Sequence, residues 1–221
     1  MKAMILAAGR GERMRPHTDT IPKPLIEVRG KPLILRLIES LAAAGIRELV
    51  INHAHLGTRI EAALGDGRRF GVGIRYSHES EALETAGGIA KALPLLGVDP
   101  FMVVNGDIYC DFDFSSLAVR ALGRNLAHLV LVANPPHHPE GDFTFGGGPV
   151  GEAGAPLLTF SGIGLYRPEL FANIAPGGKA QLAPLLRAAM ADKRVSGEVH
   201  GGIWHDVGTP ERLSALNERV A

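Results

Sequence analysis

The densest chemistry in the chain sits near its start. Residues 6–24 run Leu-Ala-Ala-Gly-Arg-Gly-Glu-Arg-Met-Arg-Pro-His-Thr-Asp-Thr-Ile-Pro-Lys-Pro. Gly9 and Gly11 let backbone N–H groups approach an anion closely. Arg10, Arg13 and Arg15 offer forked donors that match phosphate oxygens. Pro22 and Pro24 hold Lys23 on an extended arm. An apolar run, Ala3 to Ala8, leads into this turn as a short buried strand. Together these residues describe a cradle for a polyphosphate. A basic surface loop would not need glycine and proline so densely spaced.

Two familiar phosphate loops do not fit. A Walker loop closes with Lys-Ser or Lys-Thr, and here Pro24 follows Lys23. The dinucleotide fingerprint needs a third small residue, where this chain has Met14.

Carboxylates form the second set. Asp107 follows Asn105-Gly106 just beyond the buried run Phe101–Asn105, and Asp206 precedes Val207-Gly208-Thr209-Pro210. Ligands of open α/β sheets bind at such strand ends. Two carboxylates there, beside a phosphate cradle, suit Mg²⁺, which takes oxygen ligands. Residues 79–88 (Glu-Ser-Glu-Ala-Leu-Glu-Thr-Ala-Gly-Gly) form an acidic loop entering a helix, where a carboxylate can accept an N–H from a base edge. The spacing of His53, His55, His137 and His138 matches no zinc pattern, so these read as packing or surface residues. Ser161 lacks a Gly-x-Ser-x-Gly elbow, and Cys110 has no evident activating base.

The elements that must position these groups alternate. Strands are predicted at 48–52, 74–77, 101–105, 128–133, 142–145, 157–166, 195–200 and 204–207. Helices are predicted at Pro32–Ala44, at Thr58–Leu64 capped by Thr58, at Ala86–Leu93 ended by Pro94, at Phe114–Leu122, at Leu182–Ala191 and at Pro210–Val220. This order predicts a Rossmann-like, doubly wound, mostly parallel mixed sheet. One domain is expected over 1–221, with a nucleotide part at 1–133 and a smaller acceptor part at 134–221 on the same sheet.

Composition narrows the function. The 221 residues are 46% hydrophobic, with a formal net charge of zero. No global field attracts nucleic acid or membrane. A single cysteine fits a reducing, cytoplasmic setting. The apolar start is broken at Gly9, too short for a signal peptide, and no window reaches the ~20 residues of a membrane span.

Leu6 to Pro16 with Thr18 and Pro22-Lys23-Pro24, Glu84-Thr85-Ala86-Gly87, Asn105-Gly106-Asp107, Phe160-Ser161-Gly162-Ile163 and Asp206 to Pro210 resemble, in order, the sugar-1-phosphate nucleotidyltransferases. The resemblance spans nearly the whole chain. The short length, the Asn52-His53-Ala54 turn and the Gly141-Asp142-Phe143 segment are similar to a UTP-dependent member of peptidoglycan recycling. It implies transfer of UMP from UTP to a sugar 1-phosphate, without a protein nucleophile. Guanylyl or uridylyl transfer to a plain hexose 1-phosphate is the alternative within the class, and a nucleotide-sensing subunit the alternative outside it. The resemblance also implies roles. Ala8, Gly9, Gly11, Glu12 and Arg13 would hold the nucleotide phosphates, and Lys23 the α-phosphate, with Arg13 and Lys23 catalytic. Glu79 and the Glu84 backbone would read the base. Asp107 and Asp206 would bind Mg²⁺. Asn105, Gly141, Asp142 and Glu152 would face the sugar. Relatives often carry Glu-Lys-Pro in that region. Here Ala153-Gly154 follows Glu152, so Lys179 or Lys23 would replace the lysine. Arg167, Lys179 and Arg187 are the cations of the acceptor half open to a further anionic group on the sugar.

Overall fold

The computed structural model describes residues 1–154, 156–175 and 177–219. In chain order the strands are β1 (Lys2–Leu6), β2 (Glu27–Val28), β3 (Lys31–Pro32), β4 (Glu48–His53), β5 (Gly73–His78), β6 (Phe101–Asn105), β7 (Ile108–Cys110), β8 (Ala127–Val132), β9 (Phe143–Thr144), β10 (Leu157–Tyr166), β11 (Val195–Val199) and β12 (Trp204–Asp206). The α-helices are α1 (Leu33–Ala43), α2 (Gly57–Leu64), α3 (Glu84–Leu96), α4 (Ser115–Ala118), α5 (Leu182–Ala191) and α6 (Pro210–Arg219). The predicted end of the last helix, Val220, lies outside the described residues.

The main sheet runs β11-β8-β10-β6-β1-β4-β5, with β9 on the side of β10. β1 is parallel to β4 and β6, and β4 to β5, while β8 is parallel to β11. β10 alone on that path is reversed, antiparallel to both β6 and β8. The main sheet therefore joins β1, β4, β5, β6 and β8 of residues 1–133 to β9, β10 and β11 beyond, while β2–β3 and β7–β12 form separate two-stranded sheets.

Alternation along the strands builds two cores. Ala3 and Ile5 of β1, with Met102 and Val104 of β6, pack with Leu37 and Leu41 of α1 and with Ile60 and Leu64 of α2. Met4, Phe101 and Val103 face the other side, against Ala86 and Ile89 of α3 and Leu186 of α5. A period of two on strands buried from both faces gives this doubly wound layering. A third cluster joins Met14, Val28 and Leu33 to Val207 and Leu216, so α6 is packed against the first loop.

Several predicted boundaries move. Thr58 does not cap α2: the helix starts at Gly57 after Leu56, which has φ 56° and makes no side-chain cap. Glycine is needed there, because a Cβ would lie 1.9 Å from His53 Nδ1. Pro94 does not end α3; it sits in the last turn, and Gly97, with φ 96°, terminates the helix. A late proline removes one hydrogen bond without stopping the turn already formed. The helix predicted over Phe114–Leu122 shrinks to α4. Beyond it Val119 is exposed, and Arg120 reaches Glu198 at 2.8 Å.

β1 stops at Leu6, short of Ala8, because Ala7 N–H leaves the ladder and donates to Asn52 Oδ1 at 2.9 Å. Asn52 Nδ2 donates to Glu79 Oε1 at 2.7 Å, and Leu83 N–H donates to Glu79 Oε2 at 3.0 Å. Asn52 and Glu79 are both buried. One amide thus joins the ends of β1 and β4 to the β5–α3 loop. Replacing Asn52 by Ala strands a buried carboxylate and a buried N–H, at a cost of about 2–4 kcal/mol. Denaturant unfolding of Asn52→Ala is expected to show a lower midpoint at unchanged slope. Asn52→Asp, which sets a second carboxylate against Glu79, should be less stable at pH 7 than at pH 5.

A second buried group lies at the far edge. Burial pushes the His128 imidazole down to about 4, and Arg120 beside it adds to the shift. His128 Nδ1 meets Ser196 Oγ at 2.9 Å across the β8–β11 pair. A depressed histidine favours the neutral fold. Its contribution is complete above pH 6.5 and is lost as pH falls through the window from 6.5 to about 4. Thermal melts of wild type and His128→Asn should show the wild type losing up to about 3 kcal/mol more across that window.

Candidate active site

The first loop folds as short 3-10 turns at Glu12–Met14, His17–Asp19 and Lys23–Leu25. Gly11 has φ 66°, and its carbonyl accepts from Met14 N–H and from the buried Thr18 hydroxyl, both at 2.8 Å. A Cβ on Gly11 would lie 2.9 Å from Thr18 and 3.2 Å from Lys23. The glycine is therefore what lets the Lys23 arm fold back over the turn.

The loop walls a cleft of about 510 Å³ at the C-terminal ends of β1, β4 and β6. Ala8, Gly9, Gly11, Glu12, Arg13 and Lys23 line it from one side, and Asn52, Glu79, Glu84 and Thr85 from the other. Asn105 and Asp107 close it beside Gly208. All eight residues expected around the nucleotide are thus gathered in one cavity, with Asn105 and Asp107. Arg10 does not line the cleft, and Arg15 pairs with Asp19 at 3.2 Å.

Glu79 is held rather than free, since both its oxygens accept hydrogen bonds from within the protein. Glu84 begins α3 with φ 61°, a strained conformation for a side-chain-bearing residue. The Ala86 and Gly87 N–H groups donate to Ala180 O at 2.9 and 3.1 Å. Those of Glu84 and Thr85 precede any intrahelical acceptor, at the end of α3 that favours negative charge.

Asp107 is placed by Gly106, whose N–H donates to Leu6 O at 2.9 Å, where a Cβ would stand 2.6 Å from that oxygen. Its carboxylate pairs with Lys23 Nζ. Asp206 ends β12, which runs antiparallel to β7 with Asp206 opposite Ile108. Val207 N–H donates to Asp107 O at 2.9 Å. Two carboxylates far apart in sequence are therefore on adjoining backbone. Asp206 pairs with Arg212 and lies 2.8 Å from His137 Nε2.

The other acceptor residues do not join the cleft. Asp142 accepts from Phe160 N–H at 2.8 Å and lies 3.1 Å from His138. Gly141, with φ 69°, makes room for Asn134, whose amide oxygen would be 2.8 Å from a Cβ. Glu152 pairs with Arg187 and Lys179 with Glu81, each at 2.7 Å and half exposed. Sequence reasoning missed Asn52 as a structural link and Arg212 altogether, and gave His137 only a packing or surface role. Arg212 lies in the first turn of α6, six residues after Asp206, and that nearness in sequence is the local signal that could have found it. Burial pushes the Cys110 thiol up to about 11, consistent with an inert side chain.

Comparison with known proteins agrees with this geometry. Residues 2–146 match the nucleotidyl transferase family. The chain is 57% identical to an N-acetylmuramate alpha-1-phosphate uridylyltransferase of Neisseria meningitidis, over 96% of this chain and 95% of that one. It is 37% identical to the enzyme of that name in Caulobacter vibrioides, over 99% and 96%. A Bacillus anthracis structure named for glucose-1-phosphate thymidylyltransferase superposes with a TM-score of 0.86 at 23% identity, covering 99% of this chain and 94% of that one, which supports the fold. On the family match over residues 2–146 and relatives matched over 95% or more of both chains, the chain belongs to the nucleotidyl transferase family.

Proposed function

We propose that the protein transfers UMP from UTP to N-acetylmuramate α-1-phosphate, giving UDP-N-acetylmuramate and pyrophosphate. The observation that carries this reading is the 57% identity over nearly the full length of both chains, on a cleft that gathers the cradle residues. Mannose-1-phosphate guanyltransferases, such as that of Hypocrea jecorina at 32% identity, are longer: this chain spans 62% of that one.

A phosphate oxygen of the acceptor attacks the α-phosphorus in line. The bond from that phosphorus to the bridging oxygen breaks, and pyrophosphate leaves with the electron pair. Positioning and charge stabilisation supply the catalysis. Gly9 and Gly11 let the backbone of the first loop close on the phosphates, and Arg13 adds a forked donor. Lys23 stands between that loop and Asp107, where a cation can move its charge onto the α-phosphate. The Glu84 backbone faces the base, and Glu79 fixes that edge of the cleft through Asn52 and Leu83.

Asp107 and Asp206 are the residues that would hold Mg²⁺. Two hard oxygen donors on adjoining backbone suit the ion, and each is already matched with a cation, Lys23 and Arg212. Bound Mg²⁺ supplies positive charge at the triphosphate. Residues 1–133 serve the nucleotide and 134–221 the acceptor. Of the acceptor residues, Asn105 has the best placement, on the cleft itself. Among the described residues no helix is long and apolar enough to cross a membrane.

A matrix of nucleoside triphosphates against sugar 1-phosphates, read by pyrophosphate release, tests the reading. UTP with N-acetylmuramate 1-phosphate should give the highest kcat/KM, at least about tenfold above N-acetylglucosamine 1-phosphate. Better use of GTP with mannose 1-phosphate would reject the named substrates. Lys23→Ala is expected to lower kcat by about 10²-fold or more. Asp107→Asn and Asp206→Asn should abolish turnover and weaken Mn²⁺ binding measured directly by calorimetry. An Asp206→Asn enzyme with normal metal affinity would remove that residue from the metal site.

A further inference from the structure

The acceptor named above carries a lactyl ether, a methyl and a carboxylate on one carbon, that its glucosamine analogue lacks. A site for that group needs a cation and an apolar wall. The cations of the acceptor half expected from sequence are committed elsewhere. Arg167 donates to the carbonyls of Gly123 and Asn125, while Lys179 and Arg187 pair with Glu81 and Glu152 on the surface.

A second cavity, of about 610 Å³, offers both features. Residues 206–209 are its border with the nucleotide cleft: Gly208 lines the cleft, while Asp206 and Thr209 line the cavity. At this border stands Arg212, largely buried, with Nη1 on Asp206 and 2.8 Å from His137 Nε2. A guanidinium has five N–H donors; among the described residues those on Nε and Nη2 take no acceptor, and Nη2 lies beside Gly208 at the border of the two cavities. Thr209 Oγ1 accepts from Arg212 N–H at 3.3 Å and opens α6, whose partial positive end adds to the field. Val132, Pro135, Trp204 and Leu216 supply the apolar wall.

We propose that this cavity receives the carboxylated substituent of the acceptor sugar, with Arg212 as the specificity-determining residue and His137 beside it. The proposal rests on the uridylyltransferase reading, and its test separates the two. Arg212→Met and Arg212→Lys are assayed with UTP and each of N-acetylmuramate 1-phosphate and N-acetylglucosamine 1-phosphate. Because Arg212 also pairs with Asp206, both activities can fall in Arg212→Met, so the reading is their ratio: the preference in kcat/KM for the muramate over the glucosamine compound is expected to drop about tenfold or more, mainly through the muramate KM. Arg212→Lys should recover part of the muramate loss, because it restores the charge without the fork.

Trp204 is the single tryptophan of the chain, and it reports the cavity without turnover. Its emission should shift when N-acetylmuramate 1-phosphate is added to the UTP-loaded enzyme without Mg²⁺, at about tenfold higher concentration in Arg212→Met. Equal losses with both sugars would show that Arg212 serves Asp206 alone, and would overturn the proposal while leaving the reaction intact. A wild type that uses neither sugar overturns the uridylyltransferase reading, and this proposal with it.

Discussion

The backbone at the end of β1 must leave its ladder to form the loop that walls the cleft, and the N–H freed there needs a partner out of water. Asn52 provides it, and in the same step supplies a donor to the buried Glu79 carboxylate. An unmade bond at such a place costs about 1–3 kcal/mol for the N–H and more for the charge. The link is tight enough to dictate the neighbouring helix: a Cβ on Gly88 of α3 would lie 2.7 Å from Glu79 Oε1 and 2.9 Å from Asn52 Nδ2. Gly87, one residue earlier, admits the 178–180 segment, because a Cβ there would meet Gly178 O at 2.3 Å. The Gly87-Gly88 pair is thus explained by two close approaches on consecutive residues. It sets α3 near enough for its N-terminus to form one wall of the cleft.

Charge is balanced locally across the rest of the site. Asp107 and Asp206 stand on hydrogen-bonded neighbouring backbone, where two uncompensated carboxylates would repel. Lys23 answers one and Arg212 the other. Each cation comes from a different element, the first loop and α6, and those two are joined by the cluster of Met14, Val28, Leu33, Val207 and Leu216. The ion pairs therefore have an apolar clamp behind them. The zero net charge of the chain has the same consequence on a larger scale: attraction for a triphosphate is built from position, not from overall field.

Much of this was readable before the structure. Strand cores such as Phe101–Asn105 and Leu157–Tyr166 are legible because apolar runs bounded by turn residues have few alternatives. That the first loop would wall a cleft is legible from Gly9, Gly11, Arg13 and Lys23, whereas Arg10 and Arg15 of the same run do not line it. What stayed hidden was longer in range. Asn52 looks like the last residue of a strand until Ala7 and Glu79 are brought beside it. Pro94 reads as a stop because local rules see its missing N–H, not that the helix has already formed above it. Phe114–Leu122 reads as helix from its sequence, yet α4 ends at Ala118, and beyond it Arg120 pairs with Glu198 of β11. The hairpin of β2 and β3 has only two residues per strand. Its turn at Arg29 and Gly30, both with positive φ, gave too weak a signal to register.

The reversed strand β10 shows why the two cavities meet where they do. Its pairing with β8 shifts register between Phe160 and Ile163. At that irregularity Ser161 Oγ donates to Val130 O at 2.7 Å and accepts from Ile163 N–H at 3.2 Å. Gly162 has φ 79°, and a Cβ there would lie 2.5 Å from the Asn105 amide nitrogen. Only glycine both takes that backbone conformation and leaves Asn105 its place on the nucleotide cleft. The carbonyl of Ser161 accepts the Trp204 indole N–H at 2.9 Å, which ties β12, and hence Asp206, to the same point. One break in the ladder thus fixes Asn105 on the cleft, Trp204 on the second cavity and the carboxylate at their border. Bulges that re-aim side chains in this way recur next to active sites, and here the shift between Phe160 and Ile163 aims Asn105 and Trp204 at adjoining cavities.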